Sequence, residues 1–186
     1  SKIRQYLAEE IQLHIDVSEI RLFSNAEEAL KTLTREPADI VLFDVQLPGM
    51  NGIECMRRLK IIHPKMQCMV LTVYDKPDTV FEALKAGAIS YLLKSTPSQK
   101  IVEAIEEVYH GGSPISSQSA RKVIETFAMK EKTNDYFQEL SRREQEVLEQ
   151  LAKGFRYQEI GDKLFVSIET VRTHIRNIYE KLQVNS

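Results

Sequence analysis

The stretch from Ile40 to Gly52 constrains this chain most. Four consecutive apolar residues, Ile40-Val41-Leu42-Phe43, run into Asp44, and Leu47-Pro48-Gly49 and Asn51-Gly52 follow. A short apolar run bounded by turn residues predicts a strand buried on both faces, and the Pro-Gly and Asn-Gly pairs predict a turn after it. Asp44 then stands at the carboxyl end of a buried strand, where open α/β sheets place their ligand sites.

Strand-like and helix-like segments alternate around that stretch. Residues 2–14 read as an amphipathic helix (Ile3, Leu7, Ile11), 19–23 as a strand, and 26–33 as a helix capped by Ser24 or Asn25. A helix over 52–62 ends at Pro64, a second buried strand covers 68–72, and Pro77 opens a helix to about Ala86. Residues 89–93 form another strand, and Pro97 opens a helix that Gly111-Gly112 terminates. Such alternation implies right-handed crossovers and a mainly parallel sheet. Asp44, Thr72 and Lys94 then sit at the ends of three strands along one edge, where an acid, a hydroxyl and an ammonium converge.

With these motifs in this order, residues 1–112 resemble a bacterial response-regulator receiver domain, an α/β flavodoxin-like fold with a parallel sheet. The matching pieces are the Asp44 strand with Leu47-Pro48-Gly49-Met50-Asn51-Gly52, then Val70-Leu71-Thr72, then Ala86-Gly87-Ala88 and Tyr91-Leu92-Leu93-Lys94. The resemblance implies that Asp44 accepts a phosphoryl group from a sensor histidine kinase, that Thr72 and Lys94 contact the phosphoryl oxygens, and that Tyr91 is the switch aromatic. It also implies Mg²⁺, held by Asp44 and the backbone carbonyl of Gln46. A carboxylate nucleophile flanked by fixed donors suits phosphoryl transfer. Receivers begin with a central strand ending in an acidic pair that completes the metal site, and these residues are expected from a segment before Ser1.

Residues 113–138 read as a linker with one helix, on which Ala120, Val123, Ile124 and Phe127 keep helical spacing. The charged run Lys130-Glu131-Lys132 reads as a solvated hinge. From 139 to 186 only short helices are expected. Ser141-Arg142-Arg143-Glu144 has the form of a capping box, Gly154 stops that helix, and a short helix follows over 157–164. Phe165-Val166 makes a turn and Ser167 caps a longer helix to about Leu182. On it Val171, Ile175, Ile178 and Leu182 form a core stripe, with Glu169, Arg172, Thr173, Arg176 and Glu180 on another face. Two helices joined by a tight turn suit a helix-turn-helix.

This small all-α part resembles the LuxR-type DNA-binding domain of NarL/FixJ regulators. The resemblance rests on Leu140-Ser141-x-Arg143-Glu144, Ala152-x-Gly154, Glu159-Ile160, Val166-Ser167, Thr170-Val171-x-x-His174 and Lys181-Leu182. It implies base contacts from Arg172, Thr173 and Arg176, phosphate contacts near Ser167 and Thr170, and binding to double-stranded DNA as a homodimer. Residues 141–186 hold eight Lys/Arg against seven Asp/Glu and the whole chain carries a net charge of −2, so bulk charge does not argue for DNA and local geometry must.

Cys55 and Cys68 lack metal or redox spacing and read as small buried hydrophobes. No apolar run has membrane length, which points to a cytoplasmic protein without a membrane partner. The leading expectation is thus a transcription regulator, not an enzyme, switched at Asp44. One rival is a phosphorylation-independent DNA-binding protein with a degenerate receiver. The other is a flavodoxin-like enzyme or small-molecule binder, for which no Gly-rich phosphate loop is visible.

Overall fold

Apolar runs and helix caps in the sequence become strands and helices with nearly the expected bounds. A computed structural model describes residues 2–130 and 140–184. The order is α1 (Lys2–His14), α2 (Ala26–Arg35), β1 (Ile40–Phe43), α3 (Gly52–Ile62), β2 (Gln67–Thr72), α4 (Pro77–Lys85), β3 (Ala88–Leu93) and α5 (Ser98–Tyr109). Then come α6 (Ser117–Lys130), α7 (Arg142–Ala152), α8 (Tyr157–Leu164) and α9 (Ile168–Val184). The Asn25 side chain caps α2 by accepting from the Glu28 N–H at 2.8 Å, and Asn51 caps α3 through the Glu54 N–H at 2.8 Å.

The sheet is parallel with order β1-β2-β3. Phe43 pairs with Val70, Val70 with Tyr91, and Thr72 with Leu93, so the three carboxyl ends finish nearly level. Period-two alternation sends Cys68 and Val70 to one face, with Met56, Leu59, Phe81 and Leu84, and Met69 and Leu71 to the other, with Ile101, Ile105 and Val108 of α5. Both cysteine thiols are buried as expected, and burial pushes Cys55 up to about 11 and Cys68 up to about 12.

Two expectations need correction. Residues 19–23 do not form a strand; Leu22 is half-exposed, and the segment is held by side chains, Arg4 donating to the Phe23 carbonyl and Arg21 to the carbonyls of Glu36 and Pro37. Strand conformation is stabilised by a ladder partner, and among the described residues this segment has none. Nor is β1 fully buried, although it packs on both faces, Val41 and Phe43 on the α3 side and Ile40 and Leu42 on the α5 side. Only Phe43 is fully buried; among the described residues β1 pairs with β2 alone, and its first three residues stay partly exposed. The Lys130-Glu131-Lys132 run falls partly outside the described residues.

The linker continues the receiver's structure. Ile115 makes a parallel bridge beside Tyr91, and α6 then lies against α4 and α7. Ala120 and Val123 of α6, Leu84 of α4, Leu148 and Leu151 of α7, and Ile175 and Ile178 of α9 share one continuous apolar core. The helical domain therefore packs on the receiver through α4. Among the described residues no helix is long and apolar enough to cross a membrane.

Candidate functional site

Three strand ends build the first candidate site. Asp44 follows β1, Thr72 ends β2 and Lys94 follows β3; the Lys94 N–H donates to the Thr72 carbonyl at 2.8 Å, which fixes the two ends together. Thr72 is fully buried, and its hydroxyl donates to Asp44 Oδ1 at 3.1 Å. The Lys94 ammonium pairs with Asp44 Oδ2. One carboxylate oxygen thus faces a hydroxyl and the other a cation, with about a quarter of each charged side chain exposed to solvent. A carboxylate so placed is reachable from outside and is ringed by donors for an incoming anion.

The loop after Asp44 curls tightly over this edge. The Gln46 N–H donates to Asp44 Oδ1 at 3.2 Å and the Gly52 N–H to the Val45 carbonyl at 3.1 Å. A Cβ at position 52 would lie 1.9 Å from the Asp44 carbonyl oxygen, so only glycine lets α3 start this close to the acid. Asp44 and the Gln46 carbonyl are hard oxygen donors of the kind Mg²⁺ takes, with one or two carboxylates completed by water and phosphate. The residues present therefore fit that ion as part of its ligand set. Among the described residues no cluster of three acidic, His or Cys side chains offers a separate metal site.

Tyr91 points inward and is nearly inaccessible; its hydroxyl donates to the Tyr74 carbonyl at 2.8 Å. Burial, with the nearby charges of Asp75 and Asp44, raises the ionisation of that phenol well above its usual range. Sequence reasoning missed Tyr74, which joins the two sides of the site. Its hydroxyl donates to Gln46 Oε1, and its N–H reaches the Thr72 hydroxyl at 3.5 Å. It also missed how α6 meets Tyr91 and its surroundings. Ser119 Oγ donates to the Tyr91 carbonyl at 3.1 Å, Gln118 Nε2 to Asp75 Oδ2 at 2.8 Å, and Arg121 to the Ala152 carbonyl at the end of α7.

The second candidate site lies on α8 and α9. Ser141 and Glu144 form the expected capping box, and Glu144 also takes a 2.7 Å bond from Lys181 of α9. Burial pushes the Glu144 carboxyl up, but the bonds from Lys181 and the Ser141 N–H outweigh it and hold the group below the usual carboxylate range. Phe165 turns the chain between α8 and α9 at φ 56°, with 94% of its surface exposed. The Ser167 and Thr170 hydroxyls lie 2.8 Å apart at the start of α9, and the Thr173 hydroxyl donates to the Glu169 carbonyl at 2.9 Å. Arg176 is exposed and lines a groove between the domains with Lys60 and Tyr179. Arg172 is turned toward the receiver, bonded to Glu169 at 2.5 Å and facing Glu107 of α5 at 3.8 Å. By helical period Arg172, Thr173 and Arg176 share one face of α9 while Ser167 and Thr170 lie at its start, and in this conformation Arg172 faces the receiver.

Comparison with known proteins agrees with both halves. Residues 1–106 match the response regulator receiver domain family, and residues 138–186 match the bacterial regulatory proteins of the luxR family. The transcriptional regulatory protein LiaR of Bacillus subtilis (strain 168) is 33% identical over 98% of this chain and 87% of its own length. Among solved structures, the Salmonella typhimurium RcsB response regulator superposes with a TM-score of 0.61 at 21% identity, covering 98% of this chain and 87% of that one. A structure of two RcsB dimers bound to two parallel DNAs has a TM-score of 0.60 at 22% identity, covering 97% of this chain and 86% of that one. The receiver family generally binds Mg²⁺ at its phosphorylation site. The chain belongs to the two-component response regulators of the NarL/FixJ type, transcription regulators in which a receiver domain precedes a LuxR-type DNA-binding domain.

Proposed function

We propose that Asp44 is the phosphoacceptor of this regulator and that a sensor histidine kinase is its donor. The observation that carries this reading is the convergence of the Thr72 hydroxyl and the Lys94 ammonium on the two oxygens of one solvent-reachable carboxylate. An Asp44 oxygen attacks phosphorus, a P–O bond forms, and the P–N bond of the donor phosphohistidine breaks, leaving that imidazole to take a proton. Lys94 and Thr72 then hold the phosphoryl oxygens in place of the free carboxylate. The Asp44 carboxylate and the Gln46 carbonyl would hold Mg²⁺, which supplies charge neutralisation at the phosphoryl oxygens when bound. The chain acts as a regulator and not as an enzyme, in the cytoplasm, where kinase and DNA are both met.

Its output is binding to double-stranded DNA as a homodimer, with Arg172, Thr173 and Arg176 at base edges and Ser167 and Thr170 near phosphates. Two α9 helices set in successive major grooves would read a paired site. The conformation seen here holds Arg172 against the receiver, so it is read as the resting form. Phosphorylation draws Thr72 toward the new oxygens and moves Tyr74, Tyr91 and, through them, α6.

Intact-mass spectrometry after incubation with Mg²⁺ and acetyl phosphate tests this. The wild type is expected to gain a labile adduct of about 80 Da that Asp44→Ala does not, and DNA affinity is expected to rise with it. An unmodified wild type that binds DNA equally well with or without acetyl phosphate overturns the switch in favour of a phosphorylation-independent regulator.

A further inference from the structure

We propose that Glu27, on α2, is a positioning residue for phosphoryl acceptance at Asp44, acting by pinning the tip of the loop that follows it; the inference rests on the reading of Asp44 as phosphoacceptor.

The loop from Asp44 to Gly52 carries the Gln46 carbonyl and shapes the approach to the acid. Its base is closed by the Gly52 N–H on the Val45 carbonyl. Its tip is held from outside the loop, where Glu27 Oε1 accepts from the Met50 N–H at 2.8 Å. The fit is close. A Cβ at Gly49, which has φ 77°, would lie 2.4 Å from the same oxygen, so both the backbone turn and the carboxylate's seat demand glycine. The hydrogen bonds from the Met50 and Glu27 N–H groups hold the carboxyl below its usual range, which keeps it an ionised, strong acceptor.

Glu27 is also set on a firm base. It lies in the first turn of α2, just after the Asn25 cap, and the buried Ala26, Ala29 and Leu33 seat that helix against Cys55 and Leu59 of α3. The Cys55 thiol faces the Ala26 carbonyl at 3.4 Å, next to Glu27 in the chain. Val45, Leu47 and Met50 pack partly against the core, and the Glu27 side chain adds a fixed polar tie from the α2–α3 pair to the backbone at the loop's tip. Reaction geometry is steep in position: a displacement of about 1 Å at a reacting group can cost up to about 100-fold in rate. A strut far from the phosphorus can set the rate without touching it.

The test is the rate of loading of the full chain by acetyl phosphate with Mg²⁺, followed by intact mass across donor concentrations. Glu27→Ala is expected to lower the maximal rate by about 5- to 50-fold and to leave the thermal midpoint nearly unchanged. Glu27→Gln keeps an oxygen acceptor for the Met50 N–H and is expected to restore loading to within about twofold of the wild type. Loading of Glu27→Ala at the wild-type rate overturns the inference. So does an equal loss in both variants, or a fall in melting that accounts for the loss. A wild type that takes no phosphoryl group instead overturns the role of Asp44, so the two failures are distinct.

Discussion

Arg172 of α9 faces Glu107 of the receiver at 3.8 Å, too far for a hydrogen bond, and both Glu107 Oε1 and Arg172 Nε are buried without one. Burial pushes the Glu107 carboxyl above the usual range; Arg172 lowers it and Glu169 raises it again, and the net shift is upward. The docked domain arrangement thus favours the neutral acid over the ion pair.

A sign follows for pH. A carboxyl raised in the docked state binds its proton more tightly there, so this contribution to docking is full at acid pH and is lost as pH rises through the raised value. Glu107→Gln should therefore hold the domains together more firmly than wild type at neutral pH, with the gap closing as pH falls into the carboxylate range. Small-angle scattering of both forms across that range measures it, and a Gln variant that opens at neutral pH contradicts it. Arg172 and Glu169 on α9 and the buried phenols of Tyr157 and Tyr179 share the seam, so they belong in the same titration.

The bonds from Ser119 to the Tyr91 carbonyl and from Gln118 to Asp75 tie α6 to the end of the receiver that carries Tyr91. The double change Ser119→Ala/Gln118→Ala should leave acetyl phosphate loading within about twofold of wild type while most of the phosphorylation-dependent gain in DNA affinity is lost, since each bond carries about 1 kcal/mol. Fluorescence anisotropy with and without acetyl phosphate reads the gain directly. An undiminished gain means that the signal leaves the receiver by another route.

Within the helical domain, Lys181→Met should lower stability by about 1–3 kcal/mol, because it leaves the buried Glu144 carboxylate short of a charged donor. Glu144 is held below its ordinary range, so its contribution is present above the usual carboxylate value and fades as pH falls through the lowered one. Urea unfolding near neutral pH and in acid should show the two proteins converging at the lower pH.

Phe165 adopts a left-handed conformation with its ring in solvent, so it bears the backbone cost of that geometry with little packing in return. Phe165→Gly should raise stability by about 0.5–1 kcal/mol. A fall in the thermal midpoint would show that the side chain contributes more to this turn than its left-handed backbone costs.

The Asp44–Thr72–Lys94 cluster was legible in the sequence because a parallel sheet forces consecutive strand ends onto one edge, and three apolar runs marked those ends. The α9 face was legible because helical period separates Val171, Ile175, Ile178 and Leu182 from Arg172 and Arg176. Residues 19–23 misled because alternation and apolar content register a strand's preference and not the neighbour it needs. Tyr74, Glu27 and Glu107 were invisible for a related reason. Each acts through a contact distant in sequence, from Glu27 to Met50 or from Glu107 to Arg172, and nothing local to those residues marks it.

Helix α4 lies beneath α6 and α9 of its own chain. Any second protomer seeking that helix must wait until the first has uncovered it, so assembly by this route becomes two events of different kinetic order. The association rate should rise with concentration only until it meets the speed of uncovering, and then level off. Crowding more copies together would not hurry such a pair; only a change that hastens each molecule's own opening would.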